Sequence, residues 1–394
     1  MLLALKQQLR RVSWFYDLNA RWKAAATKRE YAATALQYGR KAIRVRRNEL
    51  LVARPDGRRE ILTEQYRPRI FFLGTDEAQD RSGILQALDR IGVLTYFTRS
   101  DGCYGHNHPG SEVVRRRANT ERLRAIFADL YTQGTTPDIL IAQTWASFID
   151  SKIFGEIRER YGTLIVNIAM DDRHQYRGHK VDGEWGGTYG LIPYLDLALT
   201  AAPECVEWYL KEGCPAMFFP EASDPEIFHP IPELPKIHDV VFVGARYGIR
   251  ERIVTALLKA GIHVMAYGSG WESGRIPNEK VPQLFAQARI VLGVSAIGHC
   301  ENFVALKMRD FDGPMSGSCY LTQNNPDLYD LYKVGQEIVT YQNVEECVKK
   351  VHYLLAHERE CKSIGRAGRI RAECDHTWDK RFRSLFVTLR ETSA

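Results

Sequence analysis

From Arg67 onward, short apolar runs alternate with amphipathic stretches. The run Arg69-Ile-Phe-Phe-Leu73 is apolar on both faces, which predicts a buried strand stopped by Gly74. A helix over Gly83–Ile91 and a strand over Val93–Phe97 follow. The same reading predicts helices over Arg115–Leu130, Phe148–Arg160 and Pro203–Glu212, and strands at Asp138–Ala142, Leu164–Ile168 and Leu195–Thr200. Five prolines then fall between Pro220 and Pro235, a density that neither a helix nor a central strand tolerates, so a linker is expected there. Beyond it the alternation restarts, with strands at Asp239–Gly244, His263–Tyr267, Ile290–Ser295 and Cys319–Thr322. The helices expected between and after them cover Gly248–Ala260, Pro282–Ala288, Lys307–Met315 and Val344–Leu355, with a last helix from about Ala372. Such alternation implies parallel sheets covered on both faces. The expected fold class is α/β: two doubly wound, Rossmann-like domains facing a cleft. Their expected bounds are 67–232 and 233–372, after an extension over 1–66 and before a C-terminal helix over 373–394 that crosses back to the first domain.

Charge changes this picture only at the N-terminus. Residues 1–47 carry twelve Lys or Arg against Asp17 and Glu30, a net of +10, so the rest of the chain sums to −4 within the overall +6. The same stretch holds Trp14, Phe15, Tyr16, Trp22 and Tyr31, and reads as a basic amphipathic helix. Three roles suit it: contact with an anionic membrane surface, packing of its aromatic side on the body, or a grip on nucleic-acid phosphates, the last being the least favoured. No run approaches the length of a membrane span, and no secretory leader is expected. Eight scattered cysteines with no Cys-x-x-Cys pair point to a reducing cytoplasm, peripheral to the membrane if the extension binds it, and away from a structural zinc site.

Four places could carry chemistry. The turn Gly244-Ala-Arg246-Tyr-Gly248 lies between a strand and a helix containing Arg250, where glycine allows close approach and a helix N-terminus suits a diphosphate; alternatively it is an ordinary turn with surface arginines. A second turn, Tyr267-Gly268-Ser-Gly-Trp271, has Trp271 either beside a ligand or closing the domain edge. The densest run is Glu301 to Gly317, in which Lys307 and Asp310, and Arg309 and Asp312, would lie three apart on a helix, paired with each other or meeting a polar ligand. In the first half, Asp171, Asp172 and His174 follow a strand and suit either proton transfer at an acceptor or loop capping. Asp76 and Arg81 are weaker candidates, and His106 and His108 make a poor metal pair; no metal site is expected.

The run Asp312-Gly-Pro-Met-Ser-Gly317, followed by Cys-Tyr-Leu-Thr322, is similar to the carboxylate–four residues–glycine–strand pattern of family 4 type GT-B glycosyltransferases. Arg309-Asp-Phe-Asp312, Asn325-Pro-Asp-Leu328, Val334-Gly335 and the C-terminal His376-Thr377-Trp378 together resemble the CgeB-like branch of that fold, over roughly residues 69–385. The resemblance implies a GT-B enzyme moving a sugar from a nucleoside diphosphate sugar to a hydroxyl acceptor (a glycan, lipid-linked glycan or protein), as in polysaccharide biosynthesis. It implies retention of configuration and needs neither a metal nor a further cofactor. It places the donor on Gly244, Arg246, Arg250, Gly268, Trp271, Lys307, Arg309 and Asp312, with Asp312 on the ribose, and acceptor-side chemistry on Asp171, Asp172 and His174. The family pattern has two glutamates eight apart; here position 304 is Val, and Glu301 stands as the candidate sugar contact. The alternatives are a nucleotide-sugar epimerase or hydrolase on the same fold, or a binding or scaffold protein without catalysis.

Overall fold

The computed structural model describes residues 66–391 apart from His108 and His299, and before them only Leu18, Trp22 and Ala25, which are helical and exposed. The basic extension therefore lies, but for those three positions, outside the described residues. The chain forms two compact units: one runs to Pro220 and resumes at Trp378, and the other is Glu221–Thr377.

The first unit is built on a six-stranded sheet: β1 (Arg69–Leu73), β2 (Val93–Tyr96), β3 (Ile139–Ala142), β4 (Leu164–Ala169), β5 (Leu197–Thr200) and β6 (Ala216–Phe218). Their order is β2-β1-β3-β4-β5-β6, and every pairing is parallel. Every residue of β3, β4 and β5 is buried, as strands covered on both faces require. The helices α1 (Ile84–Ile91), α2 (Glu112–Thr132), α3 (Lys152–Tyr161) and α4 (Cys205–Lys211) supply the cover, with Phe127, Phe154 and Trp208 in the core.

The second unit repeats the plan with five strands: β7 (His238–Val243), β8 (Val264–Tyr267), β9 (Ala288–Leu292), β10 (Cys319–Gln323) and β11 (Val339–Tyr341). Their order, β8-β7-β9-β10-β11, is again wholly parallel. The helices α5 (Ile249–Lys259), α6 (Val281–Ala286), α7 (Arg309–Met315), α8 (Val344–Ala356) and α9 (Glu358–Asp375) surround it. In both sheets the strand order reverses beside the first strand, between β1 and β3 and between β7 and β9. Open sheets of this kind bind ligands beyond the carboxyl ends of their strands at that reversal.

The last helix differs from expectation. α9 ends at Asp375 and α10 begins at Trp378, because the backbone at Ser223 and Thr377 forms a parallel bridge that takes the chain out of helix. The Ser223 N–H also donates to the His376 carbonyl at 3.0 Å. α10 (Trp378–Glu391) belongs to the first unit. There Trp378 is wholly buried against Phe219 and Phe382, and Arg90 of α1 grips Asp379 through both carboxylate oxygens. Among the described residues, no helix is long and apolar enough to cross a membrane.

Candidate functional site

In the second unit, the strand reversal falls between the ends of β7 and β9, and Arg309 spans it. Its Nη1 donates to the Val243 carbonyl at the end of β7 (2.8 Å), and its Nη2 reaches the Val294 carbonyl just beyond β9 (3.4 Å). Arg250, in the first turn of α5, comes to the same place. Its Nη1 reaches the Ala245 carbonyl at 3.3 Å, and its guanidinium lies 4.2 Å over the Tyr247 ring. Phe242, fully buried, lies beneath both arginines, 5.2 Å from the Arg309 guanidinium and 6.0 Å from that of Arg250. A Cβ on Gly244 would stand 3.1 Å from Arg309 Nη1 and 3.5 Å from Arg250 Nη1, so the two cations meet at the face that the glycine leaves open.

What these cations lack is equally telling. Among the described residues neither Arg250 nor Arg309 takes part in an ion pair, and the Nε of each is buried without a hydrogen-bond partner. Burial, followed by the like charge of Arg309, lowers the Arg250 guanidinium to about 10, so it stays protonated at neutral pH with its charge uncompensated. Two like-charged guanidinia, Arg250 buried and Arg309 half-buried, come together at a strand reversal and a helix N-terminus, where their charge suits a dianion.

Asp312 sits one helical turn on from Arg309, its carboxyl 6% exposed. Ser223 Oγ donates to it at 2.7 Å. Burial raises it to about 8; the Ser223 hydrogen bond and Arg309 oppose the rise and Asp224 adds to it. The expected i,i+3 pairs of this run do not form. Lys307 precedes α7 instead of opening it, and its backbone N–H donates to Asp310 Oδ2 at 2.7 Å. Asp310 is otherwise occupied by the Tyr320 hydroxyl (2.6 Å), and Arg309 is turned to backbone carbonyls instead of Asp312. Among the described residues, Lys307 has no ion pair.

Other expected donor residues have local partners. Arg246 is exposed and paired with Glu251 at 2.6 Å, while Glu301 is held by Arg252 on the surface. Trp271 takes the packing alternative: its Nε1 donates to the Gly244 carbonyl at 2.7 Å and its ring meets Phe242 edge-on. Gly268 is needed for loop-to-loop contact, since a Cβ there would lie 2.3 Å from the Gly244 carbonyl oxygen. The second turn therefore buttresses the first.

In the first unit, the acidic turn after β4 divides. Asp172 points inward, 1% exposed, and accepts from Thr188 Oγ1 (2.5 Å) and the Tyr209 hydroxyl (2.9 Å); burial raises it to about 7 against those hydrogen bonds. It anchors the loop and offers no solvent-facing base, which is the loop-holding one of its two expected roles. Asp171 and His174 stay partly exposed, with His174 Nε2 3.9 Å from Asp171. Sequence reasoning passed over a cluster at this unit's own strand reversal. Thr75 Oγ1 there donates to the Gln143 carbonyl (2.7 Å), and the Tyr104 hydroxyl donates to buried Asp80 (2.8 Å). Burial raises Asp80 to about 7 and lowers fully buried His106 to about 3. Asp76 and Arg81, picked out instead of Asp80, cap the short turn Glu77–Asp80 and pair with Glu77. Among the described residues, no group of three or more His, Cys, Asp or Glu is placed to hold a metal ion.

Comparison with known folds fits this geometry. The chain superposes on sucrose-phosphate synthase from Thermosynechococcus elongatus with a TM-score of 0.59 and 12% identity, covering 82% of this chain and 100% of that one. It superposes equally well (TM-score 0.59, 10% identity, 83% and 100% covered) on the catalytic domain of starch synthase IV from Arabidopsis thaliana, bound to ADP and acarbose. Anabaena HepE in complex with UDP and glucose gives 0.55, with 10% identity and 82% and 99% covered. The fold is GT-B. Residues 250–386 also match the family described as Glycosyl transferase-like, and that span contains Arg250, Arg309 and Asp312 of the GT-B second unit. No curated protein matches the sequence.

Proposed function

We propose that this chain is a CgeB-like, retaining glycosyltransferase that moves a sugar from a nucleoside diphosphate sugar to a hydroxyl acceptor without a metal ion. The observation that carries the reading is the pair Arg250 and Arg309, together beside Gly244 without a carboxylate partner, each with a buried Nε that lacks a hydrogen bond. A donor diphosphate between them would supply the missing countercharge, and Asp312 would take the ribose hydroxyls. In the reaction, the acceptor oxygen bonds to the anomeric carbon as the bond from that carbon to the diphosphate oxygen breaks. The electron pair leaves with the diphosphate, whose growing charge the two guanidinia stabilise. The acceptor proton passes to the departing diphosphate, a same-face route consistent with retention. Lys307, close to Arg309 in the chain and without an ion pair, adds a third cation to the donor side.

The acceptor class follows from the basic stretch 1–47: a lipid-linked or surface glycan met at the cytoplasmic face of an anionic membrane. The test is turnover of a panel of nucleoside diphosphate sugars in EDTA, with diphosphate release followed with and without mixed hydroxyl acceptors. Release that rises with acceptor and disappears in Arg309→Leu is the expected result. Release or sugar isomerisation independent of any acceptor would assign a hydrolase or epimerase instead. Binding without turnover of any donor would leave a scaffold.

A further inference from the structure

The second unit holds another unmatched cation, at the opposite, amino-terminal edge of its sheet. Lys236 lies in the segment leading into β7, and the Ile237 N–H that follows it donates to the Gln287 carbonyl at 3.0 Å, which fixes the lysine beside the start of β9. Its Nζ donates to Ser318 Oγ at 2.7 Å. The Ser318 hydroxyl in turn directs its own proton at the Phe285 and Ala288 carbonyls, 2.6 Å and 2.9 Å away. An ammonium carries three N–H donors, and here a single neutral oxygen meets them. Among the described residues, Lys236 has no ion pair. Burial lowers its amine to about 8, and the like charge of Lys362 adds to the fall.

Lys236 stands at the rim of a small cavity with one open side, about 370 Å³ counted out to its mouth. The other cations of the rim are already matched, Arg289 by Asp239 at 3.5 Å and Lys362 by Glu358 at 2.7 Å. One positive charge is therefore left over. The walls are mostly apolar, with Leu354 and Leu355 from the end of α8 facing Cys319 and Cys361. Cys361 is turned to backbone, its Sγ donating to the Arg289 carbonyl at 3.7 Å. The space cannot close by a further approach of α9. Gly365, one turn beyond Cys361, is already so near that a Cβ there would stand 2.6 Å from the Gly317 carbonyl oxygen.

We propose that this cavity binds a small amphiphilic carboxylate, with its charged head on Lys236 and a short apolar tail against Leu354 and Leu355. The single surplus charge favours a monoanion over a phosphate dianion, and the apolar walls favour a ligand with a tail over a bare ion. None of Arg250, Arg309 and Asp312 lines this cavity, so the proposal and the donor reading stand or fall separately.

The test uses the full chain without nucleotide, titrated calorimetrically with hexanoate at neutral pH and low salt, with 1-hexanol and inorganic phosphate as the two half-ligands. The expected result is saturable binding of one hexanoate per chain, about tenfold or more tighter than either half-ligand, with a rise in the second unit's melting temperature. Lys236→Met should weaken hexanoate by about tenfold or more, and Lys236→Arg should restore most of the affinity; ligand-free melting of both variants checks that they fold. The proposal is overturned if wild-type chain takes up no hexanoate saturably, or if 1-hexanol or phosphate binds as tightly. Neither of those results depends on a variant. Unchanged hexanoate affinity in a folded Lys236→Met chain overturns it equally.

Discussion

At the scale of single residues, both units hold ionisable groups that burial has displaced from their ordinary values, and the displacement sorts them by role. Arg250 and Arg309 are cations without carboxylates, a state that favours an anionic ligand. Asp172 is a carboxyl whose burial favours the neutral form, against the hydroxyls that donate to it. With its folded value raised from 3.8 to about 7, native Asp172 keeps its proton where the unfolded chain has lost it. Stability from this group is full below about pH 4 and is lost as pH rises toward 7. Asp80 and Asp312 act in the same direction. The melting temperature should therefore fall between pH 5 and pH 8, and Asp172→Asn should flatten that slope; an unchanged slope in calorimetric scans would show that Asp172 does not titrate in this range. Ser223→Ala should leave Asp312 Oδ1 buried without its donor and lower stability by about 1–3 kcal/mol, read by chemical denaturation of the second unit. Gly244 and Arg250 were legible in the sequence because a strand, a glycine turn and a helix start are local. Arg309 was legible as a candidate, but its partners were not. Its bonds go to Val243 and Val294, 66 and 15 positions away, and Ser223 lies 89 positions from Asp312. Local spacing could suggest only the i,i+3 pairs, and the sheet reversal overrode them.

At the scale of elements, the central strands were the most legible, since β3 is a continuous apolar run and β4 and β7 carry apolar stretches at Leu164–Val166 and Val240–Val243, which a sheet covered on both faces accommodates. The edge strands β6 and β11 span only three residues each, too few to show a period. α9 was missed for a different reason: Gly365 and Gly368 interrupt its apolar face, and both are there because α9 presses on backbone at Gly317 and Glu337. The turn after β8 shows how one loop sets another. Gly268→Ala would force a Cβ against the Gly244 carbonyl and shift the turn proposed to receive the diphosphate. It should weaken diphosphate affinity by about tenfold or more while leaving the first unit's melting unchanged, as differential scanning with and without ligand would reveal. Unaltered affinity would mean that the second turn does not support the first.

At the scale of the molecule, the chain passes from the first unit to the second after Pro220 and returns after Thr377, and the Ser223–Thr377 bridge holds the two passages side by side. α10 completes the first unit, so removing residues 378–394 should lower that unit's melting temperature by stripping Phe219 of its contacts with Trp378 and Phe382, and leave the second unit's transition in place. The charge is divided just as unevenly, +10 in residues 1–47 and −4 in the remainder. Binding to anionic vesicles should accordingly appear at low salt, fade by about 0.5 M salt and vanish when residues 1–47 are removed. The central claim concerns the two arginines, and calorimetric titration with nucleoside diphosphates in EDTA tests it most directly. The account predicts that at least one diphosphate binds, that Arg250→Leu and Arg309→Leu each weaken it by about tenfold or more, and that Glu301→Gln changes it little. Binding that is absent for every diphosphate, or equally tight in both arginine variants, would contradict it.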